Sequence, residues 1–261
     1  MANFDIISAA GYAYEKSWKE RNYLAKLVFV PFVIKTILYI LALNIFEPDD
    51  ILKLTLVMLP AYFVEGWMLS HWVRTLLTDH RWPFVPSGDL KKDQMKIEER
   101  AKGVLAGTLS FVVINFLMAG FFAAVFFVMP PDMDPEQADA LYGSFALGVI
   151  IIMFVLFRFT WIYIPAALNI PLKKYIHLTN PVMFTLSLIG VWLVCFIPPM
   201  MIMQLVASIG LSATGAESET VGVNVFEAFL RVFFDTVKNI IVTAGVAFAF
   251  QQVLNPPKKN D

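Results

Sequence analysis

The segment FALGVIIIMFVLFRFTWIYIPAALNIPLKK, from Phe145 to Lys174, carries the pattern that decides the fold. It begins as an unbroken apolar run and closes with the positive charges of Lys173 and Lys174. A hydrocarbon layer of about 30 Å selects helices of about 20 apolar residues. The segment therefore predicts a membrane-spanning helix, and it leaves two residues inside or beside that helix to explain, Arg158 and Pro165.

The composition of the whole chain points the same way. Of its 261 residues, 58% are hydrophobic and 16% are charged, whereas a typical soluble domain has about 45–50% apolar and about 25% charged residues. The apolar residues lie in long blocks, which predicts an all-α, polytopic transmembrane helical bundle. Six spans are expected, at residues 24–46, 51–74, 104–129, 142–165, 182–209 and 230–254.

Charge alternates in sign between successive connections. The basic segments contain Lys16, Lys19 and Arg21, then Arg81, Lys91, Lys92, Lys96, Arg100 and Lys102, then Lys173 and Lys174, and lastly Lys258 and Lys259. The intervening connections carry only acids, at Glu47, Asp49, Asp50, Asp132, Asp134, Glu136, Asp139, Glu217 and Glu219. Because positive charge marks the cytoplasmic side, we expect both termini in the cytoplasm and three hairpins that point outward.

The expected organisation is a cytoplasmic amphipathic segment (1–23), a transmembrane domain (24–255) with a cytoplasmic loop at 78–103, and a cytoplasmic tail (256–261). Residues 1–23 lack the apolar core and small-residue cleavage site of a signal peptide, so the first span is expected to direct insertion. Residues 89–102 predict a second short helix, with Ser87 or Asp89 as its N-cap.

The N-terminal segment predicts a helix with one apolar face. That face is formed by Phe4, Ile7, Gly11, Tyr14 and Trp18, which recur at helical spacing. Two interpretations remain open. The helix lies on the inner leaflet, or its apolar face packs on the protein's own cytoplasmic loop.

Ionisable residues within spans are costly and are therefore candidates for function. The candidates are Lys35, Glu65, Arg158, Arg231, Asp235 and Lys238. Lys35 and Glu65 lie at similar distances from the turn at 47–50, so at about 1.5 Å per residue they reach the same depth. We expect them to pair, either as a structural contact that fixes the register of the first hairpin or as part of a path for a solute or proton.

Arg158 has two explanations. If its helix runs straight to Lys173, then Arg158 is near mid-membrane and needs Glu65 or Asp235 as a partner. If the helix breaks near Pro165, Arg158 reaches the inner headgroups and the following residues lie along the interface. The aromatic residues that follow Arg158 favour the break.

The last span begins with a polar stripe formed by Asn224, Glu227, Arg231, Asp235 and Lys238. The spacing predicts the intrahelical pairs Arg231–Asp235 and Asp235–Lys238. The stripe belongs either to a helix start at the outer interface or to the lining of a water-filled cavity between helices. The small residues of VTAGVAFAFQQVL, later in the same span, predict close helix packing.

The sequence contains few residue patterns that are typical of catalytic or metal-binding sites. The three histidines form no ligand-spaced set, and motifs for nucleophilic, metal-dependent or phosphate-binding catalysis do not occur. We therefore expect no metal, no cofactor and no enzymatic activity. Nucleic-acid binding is not expected either, because the basic loop is short and mixed with acids. The single cysteine, Cys195, excludes an intramolecular disulfide.

Two segments, FRFTWIYIPAALNIPL (Phe157–Leu172) and IIVTAGVAFAFQQVL (Ile240–Leu254), resemble poorly characterised bacterial six-helix membrane families. One such relative is the membrane domain attached to some bacterial glycerophosphodiester phosphodiesterases. The resemblance implies a fold type and a location in the bacterial inner membrane, and it implies no activity.

Two classes of function follow from the sequence. The first is a non-enzymatic membrane module that organises protein or lipid partners through its amphipathic segments. Its expected partners are the bilayer and either another membrane protein or a second copy of the chain. The alternative is a small transporter or channel that uses the intramembrane charges. A lipid-modifying enzyme is a third and less favoured hypothesis.

Overall fold

The computed structural model describes residues 4–46, 51–128, 148–154, 156–178, 181–214 and 221–254. All regular elements in these ranges are helices: α1 (Ile6–Lys19), α2 (Arg21–Ile45), α3 (Ile51–Val57), α4 (Leu59–Thr78), α5 (Leu90–Val128), α6 (148–154), α7 (Tyr163–Ala167), α8 (Leu172–Leu178), α9 (Pro181–Thr214) and α10 (Val221–Leu254). The predicted turn at 47–50, the acidic connections around 132–139 and 217–219, and the predicted tail at 256–261 lie outside the described residues.

The predicted all-α membrane bundle is confirmed. Among the residues that the structure describes, five helical segments are long and apolar enough to cross a membrane: α2, most of α5, residues 148–167, α9 and α10. Helices α3 and α4 form a sixth span if they are counted together, with a bend of 58° between them. Pro60, in the first turn of α4, explains the bend, because its ring clashes with the carbonyl one turn earlier in a straight helix.

Helix α10 is the central helix of the bundle. In its most apolar stretch 67% of the residues are buried, against 17–22% in α2, α5, residues 148–167 and α9. Small side chains make this possible: Ala244, Ala247 and Ala249 are fully buried and let neighbouring backbones approach closely. The close packing predicted for this segment is therefore confirmed. On the other spans, exposed side chains such as Ile37, Leu117 and Ile202 form an apolar outer surface.

Helix α1 packs into one end of this bundle. It buries Ala9, Ala10 and Ala13 against α9 and α10. The Tyr12 ring stacks on Phe248 with centroids 4.3 Å apart, and the Tyr14 hydroxyl donates to the Cys195 carbonyl at 3.0 Å. The helix is thus an integral part of the fold.

The predicted apolar face of α1 is divided between two surroundings. Phe4 is buried against Phe184, whereas Ile7 and Trp18 are 69% and 71% exposed. The interpretation in which the whole face packs on the protein's own loop is therefore wrong. The buried face is a stripe of alanines, which an apolar-periodicity argument gives less weight than large side chains. Contact of Ile7 and Trp18 with the leaflet stays a prediction.

Helix α5 differs from the prediction in being continuous. The expected separation between a short helix at 89–102 and a span that begins at 104 is wrong, because the helix runs unbroken through Gly103. Of the two residues expected as N-cap of this helix, Asp89 is correct and Ser87 is not. Asp89 accepts a hydrogen bond from the backbone N–H of Lys92 at 3.3 Å, whereas the N–H and hydroxyl of Ser87 donate to Asp93.

We call the end of the bundle that carries α1, the 79–89 loop and α8 the basic end. The opposite end, where α2 ends and α3 begins, is called the far end.

Candidate functional site

Three helices bring charged side chains together inside the bundle. The Lys35 ammonium of α2 donates to Glu65 Oε2 of α4 at 2.7 Å and to Asp235 Oδ2 of α10 at 2.5 Å. Lys35 and Glu65 are only 7% and 4% exposed. The predicted Lys35–Glu65 pair is confirmed, and Asp235 joins it. Both Lys35 and Glu65 lie about 20 Å inside the basic end, at about 1.5 Å of rise per helical residue.

Two further side chains of α10 complete the arrangement. Lys238 pairs with Asp235, as its spacing predicted, and the Asn239 amide donates to Glu65 Oε1 at 2.6 Å. We refer to Lys35, Glu65, Asp235 and Lys238 as the charge cluster. It contains two ammonium groups and two carboxylates, so it has no formal net charge when all four are ionised. This balance is physically required, because an unpaired charge at such depth is costly.

Arg231 lies outside the charge cluster. The predicted Arg231–Asp235 pair is wrong, because Arg231 Nη2 contacts Glu227 Oε1 at 2.7 Å instead. The carboxylate of Asp235 is directed at Lys35 and Lys238, so Arg231 pairs one turn closer to the far end. Both Arg231 and Glu227 have exposed side chains.

The charge cluster lines a cavity of 490 Å³ between the helices, which we call the central cavity. Its other polar lining includes Tyr39, Tyr62, Asn115, Tyr163, Arg231 and Asn239. Three residues of the predicted polar stripe, Arg231, Asp235 and Lys238, therefore face a cavity between helices. This is one of the two interpretations that the sequence left open. Asp235 and Lys238 present 36% and 21% of their side-chain surface, so the cluster is accessible from this space.

A second cavity of 720 Å³ extends the first toward the far end. This outer cavity lies between α2, α3, α4 and α10, and it shares Tyr39, Met58, Tyr62 and Arg231 with the central cavity. Its remaining lining reaches Phe46 and Ile51, at the far end of the bundle. Because they share these four residues, the two cavities lie next to each other between the far end and the charge cluster.

The side of the charge cluster that faces the basic end is closed by packed side chains. Trp72 is completely buried, with Leu69 beside it at 1% exposure, and its indole N–H donates to the Ile240 carbonyl at 3.1 Å. The Tyr163 and Thr243 hydroxyls are hydrogen bonded at 2.8 Å. Packed side chains therefore lie between the charge cluster and the basic end.

Arg158 does not join the charge cluster. Among the described residues it pairs with neither Glu65 nor Asp235, and its guanidinium lies 4.5 Å from the centroid of the Phe159 ring. The chain forms a 3-10 turn at Arg158–Trp161 and then α7. The regular α-helix is therefore interrupted around Thr160, where the prediction of a break near Pro165 placed the end of the span.

The position of the break follows from the chemistry of proline. Pro165 is the third residue of α7, where a backbone N–H has no partner within the helix and its loss is tolerated. Its ring would clash with the carbonyl of Trp161 in a continuous helix, so the irregular turn lies just before it.

Arg74 was not among the intramembrane charge candidates predicted from the sequence. It is 1% exposed, donates from Nη1 to the Ala167 carbonyl at 2.8 Å and contacts Glu99 at 3.3 Å. Because Ala167 ends α7, Arg74 provides a partner for one of the carbonyls that a helix C-terminus leaves free.

A sequence signal for this packing does exist. Gly103 and Gly107 form a G-x-x-x-G pattern that allows α5 to approach α7 closely. A Cβ on Gly103 would lie 2.5 Å from the Ala167 carbonyl oxygen, and one on Gly107 would lie 2.9 Å from the Ala167 Cβ.

Comparison with family models, curated proteins and solved structures finds no match to this chain. Within the described residues, no group of three or more His, Cys, Asp or Glu side chains is placed to hold a metal ion. The charge cluster and its cavities are therefore interpreted from their own geometry.

Proposed function

We propose that this protein is a membrane transporter for a small polar solute, which binds at the charge cluster. The observation that carries the proposal is that the buried, charge-balanced cluster lines a cavity instead of being sealed between helices. The proposal involves binding and movement of a solute, without a covalent step.

Size and charge narrow the class of solute. Small-molecule sites commonly enclose about 300–1,000 Å³, and the central cavity of 490 Å³ falls in this range. Asp235 and Lys238 offer a carboxylate and an ammonium group to the cavity. A solute that carries both signs of charge, or strong hydrogen-bonding groups, matches such a lining better than an apolar one.

The orientation of the protein is part of the proposal. We place the basic end in the cytoplasm of a bacterial cell, with the chain in the inner membrane and both termini inside. Support comes from the Lys and Arg residues of the 79–89 loop, the start of α5 and α8, which lie at the basic end. The outer cavity then opens to the exterior, as in the outward-facing state of a transporter.

The first experiment tests whether water reaches the charge cluster from the far end. The native cysteine, Cys195, is buried and is first removed by Cys195→Ala. A single cysteine is then introduced by Asn115→Cys, at a position that lines the central cavity. A membrane-impermeant thiol reagent added from the far end should modify Asn115→Cys. The matched control is Val113→Cys, on the same helix but on the apolar outer surface, which should not react. No modification of Asn115→Cys from either side would contradict the proposal.

The second experiment measures transport. Proteoliposomes are filled with a defined mixture of amino acids, small phosphates and quaternary amines, and the loss of each compound is followed by mass spectrometry. Wild-type protein should release one class of solute, and the double variant Lys35→Met, Glu65→Gln should be folded and inactive. If the double variant transports like wild type, the pair only fixes helix register; if wild type releases nothing, the proposal is wrong.

The partner-organising module stays a second candidate because of one specific observation. Ile7 and Trp18 project from α1 away from the bundle. Deletion of residues 2–20 would also remove the buried contacts of Ala9, Ala10 and Ala13, so the sharper test is Ile7→Ser with Trp18→Ser. Loss of a stoichiometric membrane-protein partner from gently purified material would favour this candidate. Identical material from the variant and wild type would count against it.

A further inference from the structure

A basic pocket lies at the basic end, separate from the charge cluster. The loop after α4 and the first turns of α5 enclose 280 Å³, and the polar lining is Asp79, His80, Arg81, Lys96 and Arg100. Arg81 is partly neutralised, since it contacts Glu20 at 2.9 Å and Asp79 at 3.9 Å. Lys96 and Arg100 have no carboxylate partner among the residues that the structure describes. The pocket therefore favours an anion.

Arg100 is the unusual member of this set. It is only 6% exposed, and its buried Nε has no hydrogen-bond partner within the described part of the chain. Its Nη2 lies 3.3 Å from His71 Nδ1 and 3.5 Å from the His80 carbonyl. Neither of these partners carries a negative charge. A buried guanidinium that lacks an anion is unfavourable. An anionic ligand in the basic pocket, which Arg100 lines, would balance the charge of its guanidinium group.

An apolar crevice of 300 Å³ adjoins the basic pocket and shares Arg100 and Phe84 with it. It lies between α4 and α5 and is lined by apolar side chains that include Phe63, Trp67, Trp82, Ile97, Val104 and Leu105. Phe63, Ile97 and Leu105 are exposed on the outer surface of the bundle. From Arg100 to Thr108 the crevice follows α5 for about 12 Å, at about 1.5 Å per residue, toward the interior of the membrane.

We infer that this composite site binds one anionic phospholipid, with the phosphate at Arg100 and Lys96 and an acyl chain in the crevice. A soluble phosphate compound would use only the basic pocket, and a neutral lipid would use only the crevice. The two spaces meet at Arg100, so a molecule with both a phosphate and a hydrocarbon chain fills them together. Basic pockets between membrane helices are known to hold anionic headgroups.

The aromatic side chains at the junction support this assignment. The Trp67 and Trp82 rings meet edge to face with centroids 5.8 Å apart, and the Arg100 guanidinium lies 5.8 Å from the Trp82 centroid. Tryptophan collects where hydrocarbon gives way to headgroups. The junction of pocket and crevice therefore has the chemistry of the membrane–water boundary, where a lipid phosphate lies.

The test is native mass spectrometry of the full chain with added phosphatidylglycerol or phosphatidylcholine of identical acyl chains. We expect a one-to-one phosphatidylglycerol adduct that survives activation, and much less phosphatidylcholine. Lys96→Gln, at an exposed position, should lower phosphatidylglycerol occupancy about fivefold, the typical effect of one cation near an anionic headgroup. Arg100→Gln should lower it further, on the order of tenfold, because its contact with the phosphate is buried and charge-assisted.

The control is Lys102→Gln, an exposed position on the same helix that lines neither space, and it should bind like wild type. If Arg100→Gln does not fold, phosphatidylglycerol occupancy of the exposed variant Lys96→Gln still tests the inference. Equal retention of the two lipids would overturn the inference, and so would unchanged binding in Lys96→Gln. Complete displacement of phosphatidylglycerol by millimolar inorganic phosphate would also overturn it, because the site would then bind anions without the acyl chain.

Discussion

Lys35 contacts two carboxylates at once, and this sets the cost of its removal. Loss of one member of a buried ion pair leaves an uncompensated charge and typically costs about 3–5 kcal/mol. Lys35→Met or Glu65→Gln alone should therefore lower the unfolding free energy by that amount, measured by denaturant titration in detergent with circular dichroism. The matched control is the exposed Arg231–Glu227 pair, where Arg231→Met should cost about 1 kcal/mol or less. Equal losses at the two pairs would contradict this account.

His80 gives the basic end a defined dependence on pH. Burial, together with the charges of Arg74 and Arg100, lowers the pKa of His80 below the usual histidine value of about 6.5. The folded state therefore binds fewer protons than the unfolded state in the window just below that value, and stability declines as the pH falls through it. Melting temperatures at pH 7.5 and pH 5.5 should differ more for wild type than for His80→Gln. An equal difference in the two proteins would exclude His80 as the cause.

At the scale of single residues, the sequence predicted the Lys35–Glu65 and Asp235–Lys238 contacts of the charge cluster and missed the Lys35–Asp235 contact. Lys35 and Glu65 lie on consecutive spans, so counting residues from a shared turn gave their relative depth. Asp235 is 200 positions from Lys35, and no count along the chain could show that α10 packs against α2 and α4. The incorrect Arg231–Asp235 pair has the same origin, because local spacing cannot take account of a partner on another helix.

At the scale of elements, the spans were predictable because apolar length is a local property. The junctions between elements were less so. Gly103 was read as a helix boundary, but it lies inside α5, where a Cβ would be 2.5 Å from the Ala167 carbonyl oxygen of α7. Its role depends on the position of α7, which the sequence does not indicate directly.

Two glycines of α5, Gly103 and Gly120, should respond differently to substitution by alanine. Gly103→Ala would bring a Cβ to 2.5 Å from the Ala167 carbonyl oxygen, and such overpacking typically costs about 1–3 kcal/mol. Gly120→Ala, on the same helix with no atom of the described residues within 4 Å of the new Cβ, should be neutral or slightly stabilising. Thermal unfolding of the two variants in the same detergent tests this. A loss of stability in Gly120→Ala that matched that of Gly103→Ala would indicate a general effect of alanine instead of packing.

At the scale of the whole molecule, the number of crossings depends on how α3 and α4 are counted. Five spans place the two termini on opposite sides of the membrane, whereas six place them on the same side. The bend of 58° at Pro60 is compatible with a single broken span, so we expect the termini on one side. Epitope tags at the two ends should be digested by protease from the same side of sealed vesicles. Digestion from opposite sides would show that α3 and α4 do not cross together.

Helix α10 is the central helix of the bundle and also follows the other described helices along the chain. Helix α1, which precedes them, packs against it, and Lys35 must await the carboxylate of Asp235. The bundle is therefore completed only when α10 has been synthesised, and nascent chains hold a partly paired charge within the bilayer until then. Chains truncated before residue 221 should be rapidly degraded in a pulse-chase experiment, so that membrane quality control distinguishes copies that contain α10 from copies that lack it.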